Sequence, residues 1–238
     1  MQLAWLETDE AFPPTTEALD EPNGLLAAGA DLSVSRLVYA YSLGIFPWFS
    51  EGEPILWWTP SPRCVFKQKS FYASKSLKKL ARKQRYQVKV NQNFKEVIEY
   101  CSRANPKALI TDSDGVWITQ EMKEAYYQLH LAGFAHSIEV YRDNILCGGL
   151  YGVCIGKIFF GESMFSIEAN TSKLALYHLH NYLFAQNFSL IDCQISNPHL
   201  TSLGAEEIVK SEFEHLLSEN LKLGLIPHRF PDNLMITE

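Results

Sequence analysis

Three side chains able to hold charge or exchange hydrogen bonds at a site lie in two short apolar stretches: Glu162, Asp192 and Gln194. Glu162 follows Gly161 at the end of the run GGLYGVCIGKIFFGESMFS, residues 148–166, and is its only acid. A carboxylate among apolar neighbours is costly unless a cation or hydrogen-bond donors meet it. The alternative is a charge at a solvated strand end. In Leu190-Ile191-Asp192-Cys193-Gln194-Ile195, strand alternation puts Asp192 and Gln194 on one face and Ile191, Cys193 and Ile195 on the other. Set beside Glu162, this acid and amide make a polar cluster at the mouth of an apolar pocket. Cys193 with His199 as base would be a nucleophile pair, but a face shared with two isoleucines makes Cys193 core.

The five cysteines, at 64, 101, 147, 154 and 193, form no Cys-x-x-Cys pair. They read as reduced cytoplasmic thiols, with no zinc site. His178 and His180 are two apart on an expected helix and point to different sides, so no metal is expected.

The elements that must position these groups follow from the hydrophobic pattern. Val153, Ile155, Ile158 and Phe160 flank Gly156-Lys157, the pattern of a hairpin. Strand His136 to Tyr141 precedes it through the turn Arg142-Asp143-Asn144. A helix from Thr171 to Gln186 separates it from a strand over Ser189 to Ser196. Upstream, Tyr86 to Val90 reads as a strand and Phe94 to Arg103 as a helix. A helix from Gln120 to Ala132 carries Met122, Ala125, Tyr126 and Leu129 as one stripe, with Thr119 as cap. From Asn197 a loop and a helix over Ser211 to Leu221 are expected. In the N-terminal part, Ser33 caps a helix over Val34 to Ser42 that Gly44 ends. Trp48, Trp57 and Trp58 lie within eleven residues on proline-flanked loops, as a local core or a platform for a flat ring.

Charge is uneven. The chain of 238 residues carries a net charge of −6, yet residues 63–95 hold eleven Lys or Arg and no acid, leaving 10 basic residues against all 27 acidic ones elsewhere. Within that block Lys75, Lys78, Lys79, Arg82 and Lys83 surround a short helix whose apolar face is Leu77, Leu80 and Ala81. Like charges at this spacing weaken a helix and call for an anionic partner, nucleic acid first. A solvated face paired with acids elsewhere is the bland alternative. The N-terminal sequence has no signal-peptide pattern, and no run is long enough to span a membrane.

Seven segments carry a resemblance: Pro22-Asn23-Gly24-Leu25-Leu26-Ala27, Gly44-Ile45-Phe46-Pro47-Trp48-Phe49, Ile55-Leu56-Trp57-Trp58, Trp117-Ile118-Thr119, His136-Ser137-Ile138-Glu139-Val140, Gly161-Glu162-Ser163-Met164-Phe165-Ser166 and Ile191-Asp192-Cys193-Gln194. Together, in order from about residue 12 to 210, they resemble the bacterial leucyl/phenylalanyl-tRNA–protein transferase family.

The resemblance implies an α+β chain. A small N-terminal α/β unit, 1–62, is followed by an acetyltransferase-like catalytic domain, 63–238, with a mostly antiparallel sheet flanked by helices. It implies a cytoplasmic enzyme without cofactor, expected as a monomer. The enzyme would move Leu or Phe from Leu-tRNA or Phe-tRNA to the N-terminal Arg or Lys of acceptor proteins, marking them for degradation by the N-end rule pathway. It implies catalytic roles for Asp192 and Gln194, with Glu162 and Asn197 in the same network. Trp48 and Trp117 would receive the terminal adenosine, with Tyr41 and Tyr126 nearby. Leu150, Phe159, Gly161, Leu176, Leu179 and Ile191 would line the amino-acid pocket. The chain departs from the family pattern in a long loop over 104–114, around Ser172-Lys173, and at Leu150 and Leu179, where Met and Phe are expected. The last two bear on the balance between leucine and phenylalanine.

The residues fit that chemistry on their own terms. An aminoacyl ester is already activated, so an enzyme need only position an amine and stabilise an oxyanion. A protein α-amino group, with a pKa of about 8, is partly neutral at pH 7. Asp192 is expected to hold the Gln194 amide so that its carbonyl accepts from the attacking nitrogen. The rival enzyme, a CoA-dependent N-acetyltransferase, needs a glycine-rich loop opening the helix after the hairpin, and residues 164–173 contain no glycine. A non-catalytic RNA-binding module explains the basic helix but not the acid and amide cluster.

Overall fold

In the computed structural model the described residues are 3–83, 85–103, 118–222, 224–232 and 234. The long loop expected at 104–114, with Asp112 and Asp114, and Trp117, expected to receive the terminal adenosine, lie outside them.

Four short strands, β1 (Ala4–Leu6), β2 (Leu25–Gly29), β3 (Phe46–Pro47) and β4 (Leu56–Trp58), pair in the order β1-β2-β4-β3. Between β2 and β3 runs α1 (Val34–Ser42), with the Ser33 hydroxyl accepting from Arg36 N–H at its start. Gly44 ends the helix at φ +73, and a side chain there would strike the Phe213 ring at 2.6 Å. Only glycine meets both the turn and that close approach.

Seven strands form the second sheet: β5 (Arg63–Phe66), β6 (Gln87–Val90), β7 (Ala135–Arg142), β8 (Ile145–Ile155), β9 (Ile158–Ser166), β10 (Leu190–Asp192) and β11 (Glu206–Ile208). Their order is β11-β5-β10-β9-β8-β7-β6, and every neighbouring pair is antiparallel except β9 with β10. The helices are α2 (Lys75–Arg82), α3 (Phe94–Arg103), α4 (Gln120–Leu131), α5 (Thr171–Ala185), α6 (Pro198–Ser202) and α7 (Lys210–Leu221). The fold is therefore α+β, a mostly antiparallel sheet flanked by helices.

The large sheet divides the apolar interior in two. On one face Val65, Tyr151, Val153, Ile155, Phe160 and Leu190 join the N-terminal unit, α3, α4 and α7 in one cluster. On the other, Cys64, Phe66, Leu150, Cys154, Phe159 and Ile191 pack under α5 and against Leu77 of α2. Successive strand residues point to opposite faces, so each strand serves both clusters.

The expected strand over Ser189 to Ser196 is shorter than the sequence pattern. β10 ends at Asp192, because Gln194 takes the left-handed conformation, φ 56. Asp192 and Gln194 are therefore not two alternating positions on one strand. β10 pairs with β9 only as far as Asp192 beside Phe160. The chain beyond stays bonded to β5, through Cys193 N–H to Cys64 O and Cys64 N–H to Gln194 O. β9 runs on with β8 to Ser166, so the sheet splits between them.

Candidate active site

The polar cluster forms where the sheet splits. Tyr151 opposes Ser163 and Gly152 opposes Gly161, so Glu162 is the extra residue of a β-bulge, turned out of the ladder. Its side chain leaves on the face covered by α1 and α4. There Tyr41 OH donates to Glu162 Oε1 at 2.7 Å and Tyr126 OH to Oε2 at 3.0 Å. Both tyrosines are fully buried and touch each other through their hydroxyls. Burial first, and the Glu162 charge second, push both phenols well above their usual range, so each keeps its proton.

Burial pushes the Glu162 carboxyl up to about 7, against the pull of the two tyrosine hydrogen bonds. The geometry agrees. Three hydrogen bonds among two hydroxyls and one carboxyl need three protons, and a protonated Glu162 supplies the third by donating to one tyrosine in place of accepting from it, which frees that hydroxyl to donate to the other. A stability effect follows. The unfolded carboxyl titrates at about 4.5 and the folded one at about 7. Between those values the folded chain holds a proton that the unfolded chain has released, so this group's contribution falls as pH rises from 4.5 to 7. Glu162→Gln removes the titration. The variant is expected to gain on wild type between pH 5 and pH 8, on the order of 2 kcal/mol for a half-buried carboxyl. Melting curves at the two pH values check this, and parallel curves for both proteins would contradict it.

Across the split, Gln194 Nε2 donates to Glu162 Oε1 at 3.3 Å. This corrects the expected partner: Glu162, not Asp192, holds the side-chain amide. Asp192 Oδ1 instead accepts the backbone N–H of Gln194 at 2.9 Å. With its amide nitrogen engaged by Glu162, Gln194 has its carbonyl oxygen left to accept from an incoming amine.

Asp192 is fully buried and held by Arg63. Nε donates to Oδ1 at 2.9 Å and Nη2 to Oδ2 at 2.7 Å, a two-pronged pair. Sequence reasoning misses Arg63, counting it as the first residue of the basic block. Its strand, Arg-Cys-Val-Phe, is four residues long, too short for a period to place it. The other fully buried acid on this face, Glu139, is taken up by structure. It accepts from Asn93 N–H, Ser137 Oγ and Tyr141 OH, in front of the first turn of α3.

Asn197 does not join the cluster by a hydrogen bond among the described residues. Its side chain caps α6, accepting from Leu200 N–H at 2.9 Å. Cys193 is half-buried, and burial pushes its thiol well above the ordinary range, opposite to what a nucleophile needs. His199 is exposed on α6. Among the described residues no three His, Cys, Asp or Glu side chains are grouped to hold a metal. In the first turn of α5, Thr171 N–H donates to Glu168 O and Ser172 N–H to Ser166 Oγ at 3.0 Å, so these two donors are already taken.

The expected pocket residues lie on the opposite face. Leu150, Phe159, Leu176, Leu179 and Ile191 share one buried cluster under α5. Gly161 connects the two sides. A side chain built there meets only Asp192 O, at 3.7 Å, so the split is open at this point. Of the tryptophans, Trp57 is core, fully buried with Nε1 donating to Gly29 O. Trp48 and Trp58 are half-buried, their rings 5.3 Å apart.

The basic block is less uniform in space than in sequence. Arg63 is internal, Lys67 pairs with Glu206 and Glu212 at 2.9 Å each, and Arg85 approaches Glu168. Lys89 and Lys95 lie over the Tyr141 and Tyr127 rings, and Lys69 stands apart, exposed. The cluster that stays together is α2 with its C-terminal cap, started by Ser74, with Leu77 buried and Lys75, Lys78, Lys79, Arg82 and Lys83 exposed around a shallow depression. The four lysines form no ion pair among the described residues.

Residues 65–218 match the pattern of the family described as leucyl/phenylalanyl-tRNA protein transferase, and residues 30–61 that of its N-terminal domain. A protein of that name from Pseudomonas fluorescens is 51% identical over 220 residues, 92% of this chain and 95% of that one. The chain belongs to the leucyl/phenylalanyl-tRNA–protein transferase family. A member from Saccharophagus degradans is 48% identical over 222 residues, covering 93% of this chain and 89% of its own. Among solved structures, a GCN5-related N-acetyltransferase-like protein from Streptococcus suis aligns at 12% identity and a TM-score of 0.34, over 73% of this chain and 63% of that one. The fold assignment rests on the strand order and not on that overlap. No described helix is long and apolar enough to cross a membrane.

Proposed function

We propose that this chain transfers leucine or phenylalanine from aminoacyl-tRNA to the N-terminal Arg or Lys of acceptor proteins, marking them for degradation. The observation that carries the reading is the Glu162–Gln194 hydrogen bond across the split, beside the opening at Gly161. The side chain of the donor amino acid enters the apolar cluster under α5. The ester carbonyl then lies at the split, within reach of Gln194. The acceptor amine attacks that carbon, the bond to the ribose oxygen breaks, and the proton leaving nitrogen ends on that oxygen. An uncharged amide is a weak base, so Gln194 positions the amine through its carbonyl oxygen and does not take the proton.

Trp48 and Trp117 would stack the terminal adenosine. Tyr41 and Tyr126 act from beneath, by holding Glu162. Asn197 would act by fixing the turn after Gln194. Lys75, Lys78, Lys79, Arg82 and Lys83 would hold tRNA phosphates, on the same side of the sheet as the pocket. The same reading makes the protein a cytoplasmic monomer with a domain boundary at residue 62.

The test is transfer from charged tRNA to peptides starting with Arg, Lys or Ala. Leu and Phe should transfer well to the first two, Met less, and the β-branched Val and Ile poorly. One methylene in an apolar pocket is worth about 1–3 kcal/mol, so the series should be graded. Equal rates for Leu-tRNA and Ile-tRNA, or for Arg- and Ala-starting peptides, would sink the reading. Gly161→Ala has room to fold and narrows the opening, so it should slow Phe transfer more than Leu transfer.

A further inference from the structure

We infer that Arg63 is a positioning residue of the transfer reaction, setting Gln194 through Asp192. The inference rests on the proposed function and adds a residue to it. Arg63 is 1% exposed, and its guanidinium lies 5.1 Å from the Phe46 ring centre and 4.5 Å from that of Phe213. Nε and Nη2 are both given to Asp192, and Nη1 has no partner among the described residues. A buried ion pair is a poor way to gain stability, since apolar residues of similar volume often do as well or better. Its geometry does something apolar residues cannot. The fork fixes both Asp192 oxygens, and the fixed Oδ1 accepts Gln194 N–H. That bond holds Gln194 at φ 56, a left-handed conformation costing roughly 1–2 kcal/mol for a residue with a Cβ. From this conformation its side chain crosses the split to Glu162. Phe46 comes from the N-terminal unit and Phe213 from α7, so segments far apart in sequence clamp the guanidinium.

A lysine keeps the charge but cannot make the fork. Arg63→Lys should therefore lower kcat for Leu transfer by about 100-fold, the scale of a 1 Å misplacement. KM for Leu-tRNA should change little. The deciding measurement is a double-mutant cycle with Gln194→Ala. In the Gln194→Ala background, Arg63→Lys should cost less than about 3-fold, because the group it positions is gone. The same loss in both backgrounds would overturn the inference and leave Arg63 structural. If Arg63→Lys does not fold, Arg63→Met with Asp192→Leu removes the pair together. That variant should melt near wild type and still be slow, and wild-type kcat in it would also overturn the inference. A wild-type protein that transfers neither amino acid would instead defeat the proposed function itself.

Discussion

Asp192→Ala is expected to lose both stability and transfer, while Gln194→Ala loses transfer alone. Removing Asp192 leaves the Arg63 charge buried without its partner, and breaking a buried pair from one side costs about 3–5 kcal/mol. It also frees the Gln194 N–H. Gln194 is half-buried and its side chain makes one hydrogen bond among the described residues, so its removal leaves the interior intact. Both variants should lower kcat by at least about 100-fold, because the amine is no longer held at the carbonyl. The double variant should have the kcat of the worse single, since the two residues act as a unit. Thermal melts and single-turnover rates on the same preparations check both halves. Additive losses in kcat, or an Asp192→Ala protein that melts like wild type, would contradict the arrangement.

The second large effect concerns α2. Its four lysines stand exposed without an ion pair among the described residues, on a chain whose remaining sequence is strongly acidic. Each phosphate that a variant no longer neutralises should flatten the slope of log affinity against log salt by roughly 0.7 to 0.9. Lys78→Ala with Lys79→Ala should therefore raise KM for Leu-tRNA at physiological salt, with kcat and the Leu-to-Phe preference nearly unchanged. Phosphate binding positions RNA and carries no information about the amino acid. A small aminoacyl-adenosine donor lacks most of the phosphates, so its use should hardly respond. Equal losses on both donors would make α2 a purely structural helix. Leu77 packs in the same cluster as the pocket residues, so Leu77→Ala provides the control for that outcome.

Much of this fold is legible in the sequence, and the misses share a cause. The helices at Phe94–Arg103, Gln120–Leu131 and Thr171–Ala185 have long periodic stripes or clear caps, and they form where the pattern puts them. The hairpin of β8 and β9 turns at Gly156-Lys157 as its composition requires. β5, β10 and β11 have three or four residues each, too few to show a period, and the site is built on two of them. Alternation places Asp192 and Gln194 on one strand face because nothing local marks Gln194 as left-handed. That conformation is set by Asp192, which in turn is set by Arg63, 129 residues away. The bulge at Glu162 is likewise a property of pairing with β8. The residues of the polar cluster are visible by type, while their partners depend on packing between distant segments.

The most direct measurement is the single-turnover transfer of labelled leucine from Leu-tRNA to an Arg-starting peptide, by wild type and by Gln194→Ala, at saturating donor. Wild type should form the leucylated peptide. Gln194→Ala should do so at least about 100-fold more slowly, with an unchanged melting temperature. Equal rates for the two proteins would contradict the claim that Gln194, held across the split by Glu162, positions the amine.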